Sequence, residues 1–252
     1  MNDPLININQ IQEEAKAEIK EEQPWLLTYA DMMTLLFAFF VLLFSMSSPD
    51  PVKMSQMQDA MEKASGKPGS LQSLSDIKQE LEKIVNELNL ETTTNVFSDP
   101  RGLILEMDGD ICFLSGSVSI LKDMEKVLAM ASKTILNRQG DYRMIVIEGH
   151  TDSDPIPPRL QDKYPTNWEL SASRAAKVVN YLIDQGVNSG RLQASGYADR
   201  WPKNYSWDQV LGGKIDDEAI RRANLTQEQK RENRRIRVII KDDTNSSNVK
   251  NL

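Results

Sequence analysis

The chain has 252 residues, 40% of them hydrophobic, and a formal net charge of −7. That length allows one or two domains, and the acidic balance argues against a nucleic-acid partner. Cys112 is the only cysteine and His150 the only histidine, so an intramolecular disulfide and a His/Cys metal cluster are both excluded.

Residues 1–22 form a polar, acidic tail in which Glu13, Glu14, Glu18, Glu21 and Glu22 outnumber Lys16 and Lys20. Residues 23–48 are the dense apolar block of the chain, and Asp31 is their one formal charge. A run of about 20 apolar residues is what a helix needs to cross a bilayer core, so the block reads as a single transmembrane helix. A secretory signal would have a basic start and a small-residue cleavage site; Ser45–Pro51 offers no such pattern, and the helix is expected to remain as an anchor. Lysines flank both sides (Lys16 and Lys20; Lys53, Lys63 and Lys67), so charge alone does not orient it.

At about 100° per residue, Thr28, Asp31, Thr34, Leu35, Ala38, Leu42 and Ser45 share one side of this helix, while Met33, Leu36, Phe37, Phe40 and Phe44 lie opposite. Small and hydroxylated residues are what membrane helices present to partner helices, because lipid gives apolar faces no reason to associate. Asp31 lies six residues inside Trp25, roughly 9 Å below that interface. Two readings stand: an acid on an ion path, as intramembrane acids usually are, or one that snorkels to the interface or stays protonated in a helix contact.

Residues 49–70 follow the Pro49-Asp50-Pro51 stop. Met54, Met57, Met61 and Ala64 fall on one face of a short amphipathic helix before Gly66–Ser70 breaks the chain. Residues 71–98 read as a linker helix, Leu71 to Leu90, with Leu74, Ile77, Leu81, Ile84, Val85 and Leu88 on one face, and a lead-in to the next domain. The domain spans 99–242. Its expected elements are a strand through Leu103, Leu105 and Met107, a turn at Asp108–Asp110, a helix over Asp123–Asn137 and a strand over Arg143–Glu148. A helix over Trp168–Gln185, ended by Gly186, and strands over Arg191–Tyr197 and Arg235–Lys241 complete it. The alternation predicts an α+β fold, a mixed sheet with helices on one face. Residues 200–231 are long enough to hold helical turns of their own, and the polar tail 243–252 is expected to be disordered.

The membrane segment, with Trp25, Tyr29-Ala30-Asp31, Met33-Thr34 and the apolar run after them, resembles the MotB/PomB family of B-type flagellar stator subunits. Gly149–Asp152 (GHTD), Asn167–Ala176 (NWELSASRAA), Ser195–Asp199 (SGYAD) and Glu232–Val238 (ENRRIRV) resemble, in order, the OmpA-like peptidoglycan-binding domain of that family. The resemblance implies an N-terminus in the cytoplasm, a helix in the bacterial inner membrane and a periplasmic C-terminal domain. It makes Asp31 the ion-carrying residue, with Thr28, Thr34, Ala38 and Ser45 lining its path, and gives residues 49–70, with Met54, Met57 and Met61, the place of a plug that blocks ion flow. From the residues alone, the same segment reads equally as a linker helix.

The ligand implied for the domain is the diaminopimelate of the peptidoglycan stem, with Asp152 on its ammonium, Arg174 on its carboxylate and Asn167 adding an amide contact. The chemistry suits those residue types, since guanidinium forks a carboxylate and carboxylate accepts from an ammonium. Ser153–Thr166 is longer than in the porin-like members, which bears on how open the groove is. His150 reads as structural, because no nucleophile or metal partner accompanies it. No catalytic residue, metal site or cofactor is expected beyond the transported H+ or Na+. The implied partners are a ring of A-type (MotA/PomA) subunits, a second copy of this chain, peptidoglycan, and the flagellar rotor through the A-type subunit. Competing readings are a passive envelope tether and an ion-driven subunit of a non-flagellar system.

Overall fold

The structure is a computed structural model that describes residues 24–46, 73–114, 117–138, 140–213 and 215–241. The tail 1–22, the methionine helix of 49–70 and the tail 243–252 lie outside the described residues. The chain divides into two units, 1–50 and 51–252.

In the first unit, helix α1 spans Pro24–Met46, and its Trp25–Ser45 stretch has a mean hydropathy of 2.0. Among the described residues it is the one helix long and apolar enough to cross a membrane. Every described side chain on it is exposed in the single chain.

The second unit begins with α2 (Leu74–Glu87), where the Ser73 hydroxyl accepts from the Asp76 amide and stops the first turn from fraying. Strand β1 (Thr94–Asp99) pairs antiparallel with β2 (Gly102–Asp108), with Thr94 opposite Met107 and Asp99 opposite Gly102. A domain boundary between 98 and 99 would therefore cut this hairpin, and α2 with β1 belongs to the same packed body as the rest. The turn expected at Asp108–Asp110 is a single helical turn, α3 (Gly109–Cys112). Helix α4 (Lys122–Ala131) continues through a π-helical turn at Ser132–Leu136. Then come β3 (Ile145–His150), α5 (Pro158–Gln161), α6 (Asn167–Asp184) and β4 (Leu192–Gly196). The long connection holds α7 (Trp207–Leu211), α8 (Asp217–Arg222) and α9 (Gln227–Asn233), followed by β5 (Arg235–Lys241).

The five strands run in the order β1-β2-β5-β3-β4, with β3 and β4 parallel and the other neighbours antiparallel. Alternate residues Leu103, Leu105 and Met107, Ile236, Val238 and Ile240, and Ile145 and Ile147 point to one face, because successive strand side chains alternate. There they meet Ile77, Leu81 and Ile84 of α2, Met124, Val127 and Leu128 of α4, and Ala175, Val178 and Leu182 of α6. This is the mixed sheet with helices on one face that the sequence pattern predicts.

The opposite face is also buried, and it is ionic. Beside a small apolar patch of Ile104, Val146 and Ile239, it carries Glu106, Glu148, His150, Arg235 and Arg237, all less than about a tenth exposed. Glu106 accepts from Arg237 Nε at 2.7 Å and lies 3.4 Å from Arg235 Nε, while Glu148 accepts from Arg101 Nη1 at 2.7 Å. Trp201, 2% exposed, closes the array: its carbonyl accepts from Arg235 at 3.0 Å and its ring lies under the Arg101 guanidinium at 4.7 Å. Burial pushes Arg235 down to about 9, helped by Arg237. Burial would raise Glu106, but Arg235 and Arg237 outweigh it and hold it below the ordinary carboxylate range. Breaking one partner of such a buried pair costs about 3–5 kcal/mol, because a charge is left unpaired.

His150 sits in this array with its ring stacked 5.3 Å from Tyr197 and edge-on to Trp201. Burial, then the charges of Arg235, Arg237 and Arg101, hold its pKa well below the ordinary 6.5. The folded chain thus keeps His150 neutral where the unfolded chain protonates it, and stability is lost as pH falls below about 6.5. Glu148, raised by burial against the pull of Arg101, acts with the opposite sign. Comparison with a His150→Phe variant isolates the histidine. Denaturant unfolding of the full chain at pH 7 and pH 5 is expected to show a loss with a limiting slope of about 1.4 kcal/mol per pH unit for this one group, absent in the variant. Equal pH dependence in the two proteins would contradict the assignment.

Candidate functional site

The C-terminal ends of β3 and β4 run directly beneath the first turns of α6. A Cβ placed on Gly149 would stand 2.2 Å from the Ser171 carbonyl oxygen, and one on Gly196 would stand 2.5 Å from the Ala172 amide nitrogen. Only glycine permits that backbone approach. The Ser171 hydroxyl, fully buried, accepts from the Ala198 amide at 3.1 Å and donates to the Trp168 carbonyl at 3.0 Å, riveting the helix to the loop after β4. Strand-like bonds continue past the sheet, from the Tyr197 amide to Gly149 and from the Thr151 amide to Ala198, with Ala198 at φ 51°. Thr166 and Glu169 form a reciprocal capping box that fixes where α6 begins.

This contact brings Asp152 and Arg174 close enough for their charges to interact. Asp152, 8% exposed, accepts from Arg234 Nη1 at 2.6 Å and from the Asp154 amide at 3.1 Å. Arg174, 6% exposed, donates from Nε to the Ser117 carbonyl at 3.1 Å and lies 5.1 Å over the Phe113 ring. Among the described residues its two Nη atoms make no hydrogen bond. Burial lowers the Arg174 pKa, and the nearby Asp152 charge works against that lowering. Asn167 is placed differently from the other two. Its amide nitrogen donates to the carbonyls of Asp152 and Asp154 at 3.2 and 3.0 Å, so both donor hydrogens shape the loop that carries Asp152.

Arg234 is the functional neighbour that the sequence reading does not single out. It bridges Asp152 and Asp110, whose carboxylates outweigh the cost of burial and hold its guanidinium above its ordinary value. The Arg234-Arg235 pair at the start of β5 was the available signal: strand alternation accounts for Arg235 and leaves Arg234 outside the strand. The site therefore places an acceptor carboxylate, already holding one cation, near an arginine whose Nη edge has no hydrogen-bond partner among the described residues. Such a pair is complementary to a ligand carrying both charges.

On α1, Thr28 and Thr34 donate their hydroxyl protons to the carbonyls of Trp25 and Asp31 at 2.9 and 2.8 Å. Each hydroxyl oxygen then presents lone pairs rather than a proton to its surroundings. Asp31, Ala38 and Ser45 lie on the same side of the helix, all exposed in the single chain. Met54, Met57 and Met61 lie outside the described residues.

Residues 9–65 match the family model described as the membrane MotB of the proton-channel complex MotA/MotB, and residues 112–210 match the OmpA family. The uncharacterized protein YtxE of Bacillus subtilis is 31% identical over 242 residues, covering 88% of this chain and 90% of that protein. The chain belongs to the MotB family. Motility protein B of Bacillus subtilis is 24% identical over 260 residues, with 87% and 90% covered. The crystal structure of a MotB-like protein from Desulfovibrio vulgaris superposes with a TM-score of 0.53 at 21% identity, covering 67% of this chain and 93% of that one, and shows the same fold. This MotB-family chain is thus a single-pass membrane protein with an OmpA-like domain, in a family of structural or channel-associated proteins.

The α6 contact is testable by filling its glycines. Gly149→Ala and Gly196→Ala each force backbone apart and are expected to destabilise the domain by about 1–3 kcal/mol or more. Urea unfolding of the full chain in detergent reads this as a lower midpoint. Unchanged midpoints would show that the contact is looser than the geometry requires.

Proposed function

We propose that this chain is the wall-anchored, ion-conducting B-type subunit of a stator, coupling influx of H+ or Na+ to torque together with an A-type (MotA/PomA-like) ring. The observation that carries the reading is Asp31, the lone charge of a membrane helix, placed on a small and polar side whose Thr28 and Thr34 hydroxyls face outward as acceptors. A tether needs only lipid-compatible residues there. Burying an aspartate at a helix centre costs about 2.5–3.5 kcal/mol, and moving one charge through the membrane potential yields about 2.3 kcal/mol per 100 mV. The two are comparable, so cycles of ion binding and release can switch how the neighbouring subunit packs on this side. The same reading places the N-terminus in the cytoplasm, the OmpA-like domain on the wall side, two copies of the chain within the ring, and the rotor in contact with the ring.

Asn is nearly isosteric with Asp and cannot ionise. Asp31→Asn is expected to leave insertion and binding to the A-type partner intact while abolishing ion flux and rotation. Normal flux in a strain with the variant at wild-type level and bound to its partner would rule out Asp31 as the carrier. Repeating the flux measurement across sodium concentrations at fixed pH separates Na+ from H+.

The wall-binding end rests on the Asp152–Arg174 groove, with the diaminopimelate ammonium on Asp152 and its carboxylate on the open edge of Arg174. Losing one partner of a charge-assisted pair costs about 2–5 kcal/mol. Arg174→Ala and Asp152→Ala chains are therefore expected to fold but no longer sediment with peptidoglycan. Sedimentation of both at the wild-type level would overturn the assignment.

A further inference from the structure

Asp152 is already paired within the chain. Its Oδ2 accepts from Arg234 Nη1 at 2.6 Å and its Oδ1 from the Asp154 amide at 3.1 Å, so both oxygens that an ammonium would use are engaged. The Asp152 side chain is 11% exposed, and a carboxylate that far out of water is costly without a cation beside it. A second cation on the same carboxylate would stand against the first, and like charges at that range repel. A ligand ammonium and the Arg234 guanidinium are therefore alternatives at Asp152.

Arg234 has a second carboxylate within reach. Its Nη2 donates to Asp110 Oδ1 at 3.3 Å, a longer bond than the one to Asp152, and the Asp110 side chain is half-exposed. Asp110 also lies 3.8 Å from Arg231 Nε, and Arg231 Nη2 reaches Asp108 at 3.1 Å. Charges of alternating sign thus lead from the buried carboxylate to the surface, with Arg234 as the link between the inner and outer ends. The Arg234 side chain is 28% exposed, so a turn toward Asp110 leaves it hydrated. Its backbone is fixed meanwhile: the Gly109 amide donates to the Arg234 carbonyl at 2.6 Å, and a Cβ on Gly109 would stand 2.8 Å from that oxygen. The exchange from Asp152 to Asp110 is a movement of the side chain alone.

We propose that Arg234 is a built-in competitor for the ligand ammonium, holding Asp152 until a ligand displaces it onto Asp110. The inference rests on the reading of Asp152 and Arg174 as the wall-binding pair. It gives Arg234 the task of selecting against simple amines. A ligand that brings only an ammonium trades one cation for another, while one that also carries a carboxylate gains the contact with Arg174. A site that is competent only when Arg234 has turned away binds with an apparent affinity reduced by the competent fraction.

Calorimetric titration of the full chain in detergent with a stem peptide ending in diaminopimelate tests it. Arg234→Gln, which removes the competitor and keeps a polar side chain, is expected to bind at least about threefold tighter than the wild type. Asp110→Asn, which removes the place Arg234 turns to, is expected to bind severalfold more weakly. The double variant is expected to match Arg234→Gln, because no arginine remains to be received. A residue that merely props Asp152 in place gives the opposite sign. Unchanged or weaker affinity in Arg234→Gln, while the wild type binds, would therefore overturn the proposal and leave the wall-binding reading standing. A double variant weaker than Arg234→Gln would overturn it as well, since Asp110 would then act without the arginine. No binding by the wild type would instead fail the wall-binding reading, and this inference with it.

Discussion

The domain depends on one close approach: the first turns of α6 rest on the ends of β3 and β4 at Gly149 and Gly196, with no room for a Cβ at either place. The Ser171 hydroxyl then ties the helix to the loop at Ala198. Because Asp152 leaves the end of β3 and Arg174 sits two turns into α6, that contact sets the distance between the two charges of the groove. Asn167, at the start of α6, reaches back to the Asp152 loop and closes the same circuit. The motif residues that resemble the OmpA-like domain are thus mostly its construction.

The sheet is buried on both faces by different means. Helices cover one with aliphatic side chains, where area removed from water stabilises the fold at about 25 cal/mol per Å². Loops cover the other, over an array in which Glu106 and Glu148 are outnumbered by Arg101, Arg235 and Arg237. Such an array adds little net stability compared with an apolar core, yet it is unforgiving of a lost partner. It also explains His150: a histidine held neutral among arginines and stacked on Tyr197 is a structural residue, as its isolation in the sequence implied.

What was legible in the sequence had a period or a motif. Helices α2 and α6 announce themselves by apolar spacing, β2, β3 and β5 by β-rich runs, and Asp152 and Arg174 by the motifs around them. Strand β1 did not, because Thr94–Asp99 holds only the adjacent pair Val96 and Phe97 and shows no alternating run; the hairpin with β2 makes it a strand. The buried ionic face was hidden for a related reason. Glu106, Arg235, Arg237 and Glu148 occupy alternate strand positions and look like a solvated face, and the partners that meet two of them come from Trp201, in an aperiodic loop. Arg234 escaped notice because it stands one residue before its strand.

In the proposed function, Asp31 exchanges the ion and the Asp152–Arg174 pair holds the wall. A stator subunit needs the second for the first to yield torque. The most direct measurement of the anchoring chemistry is calorimetric titration of the full chain with a stem peptide ending in diaminopimelate and with its lysine counterpart, which keeps the ammonium and lacks the carboxylate. The account predicts saturable binding of the first and at least about tenfold weaker binding of the second, since Arg174 loses its partner. Equal affinity for the two peptides would contradict it.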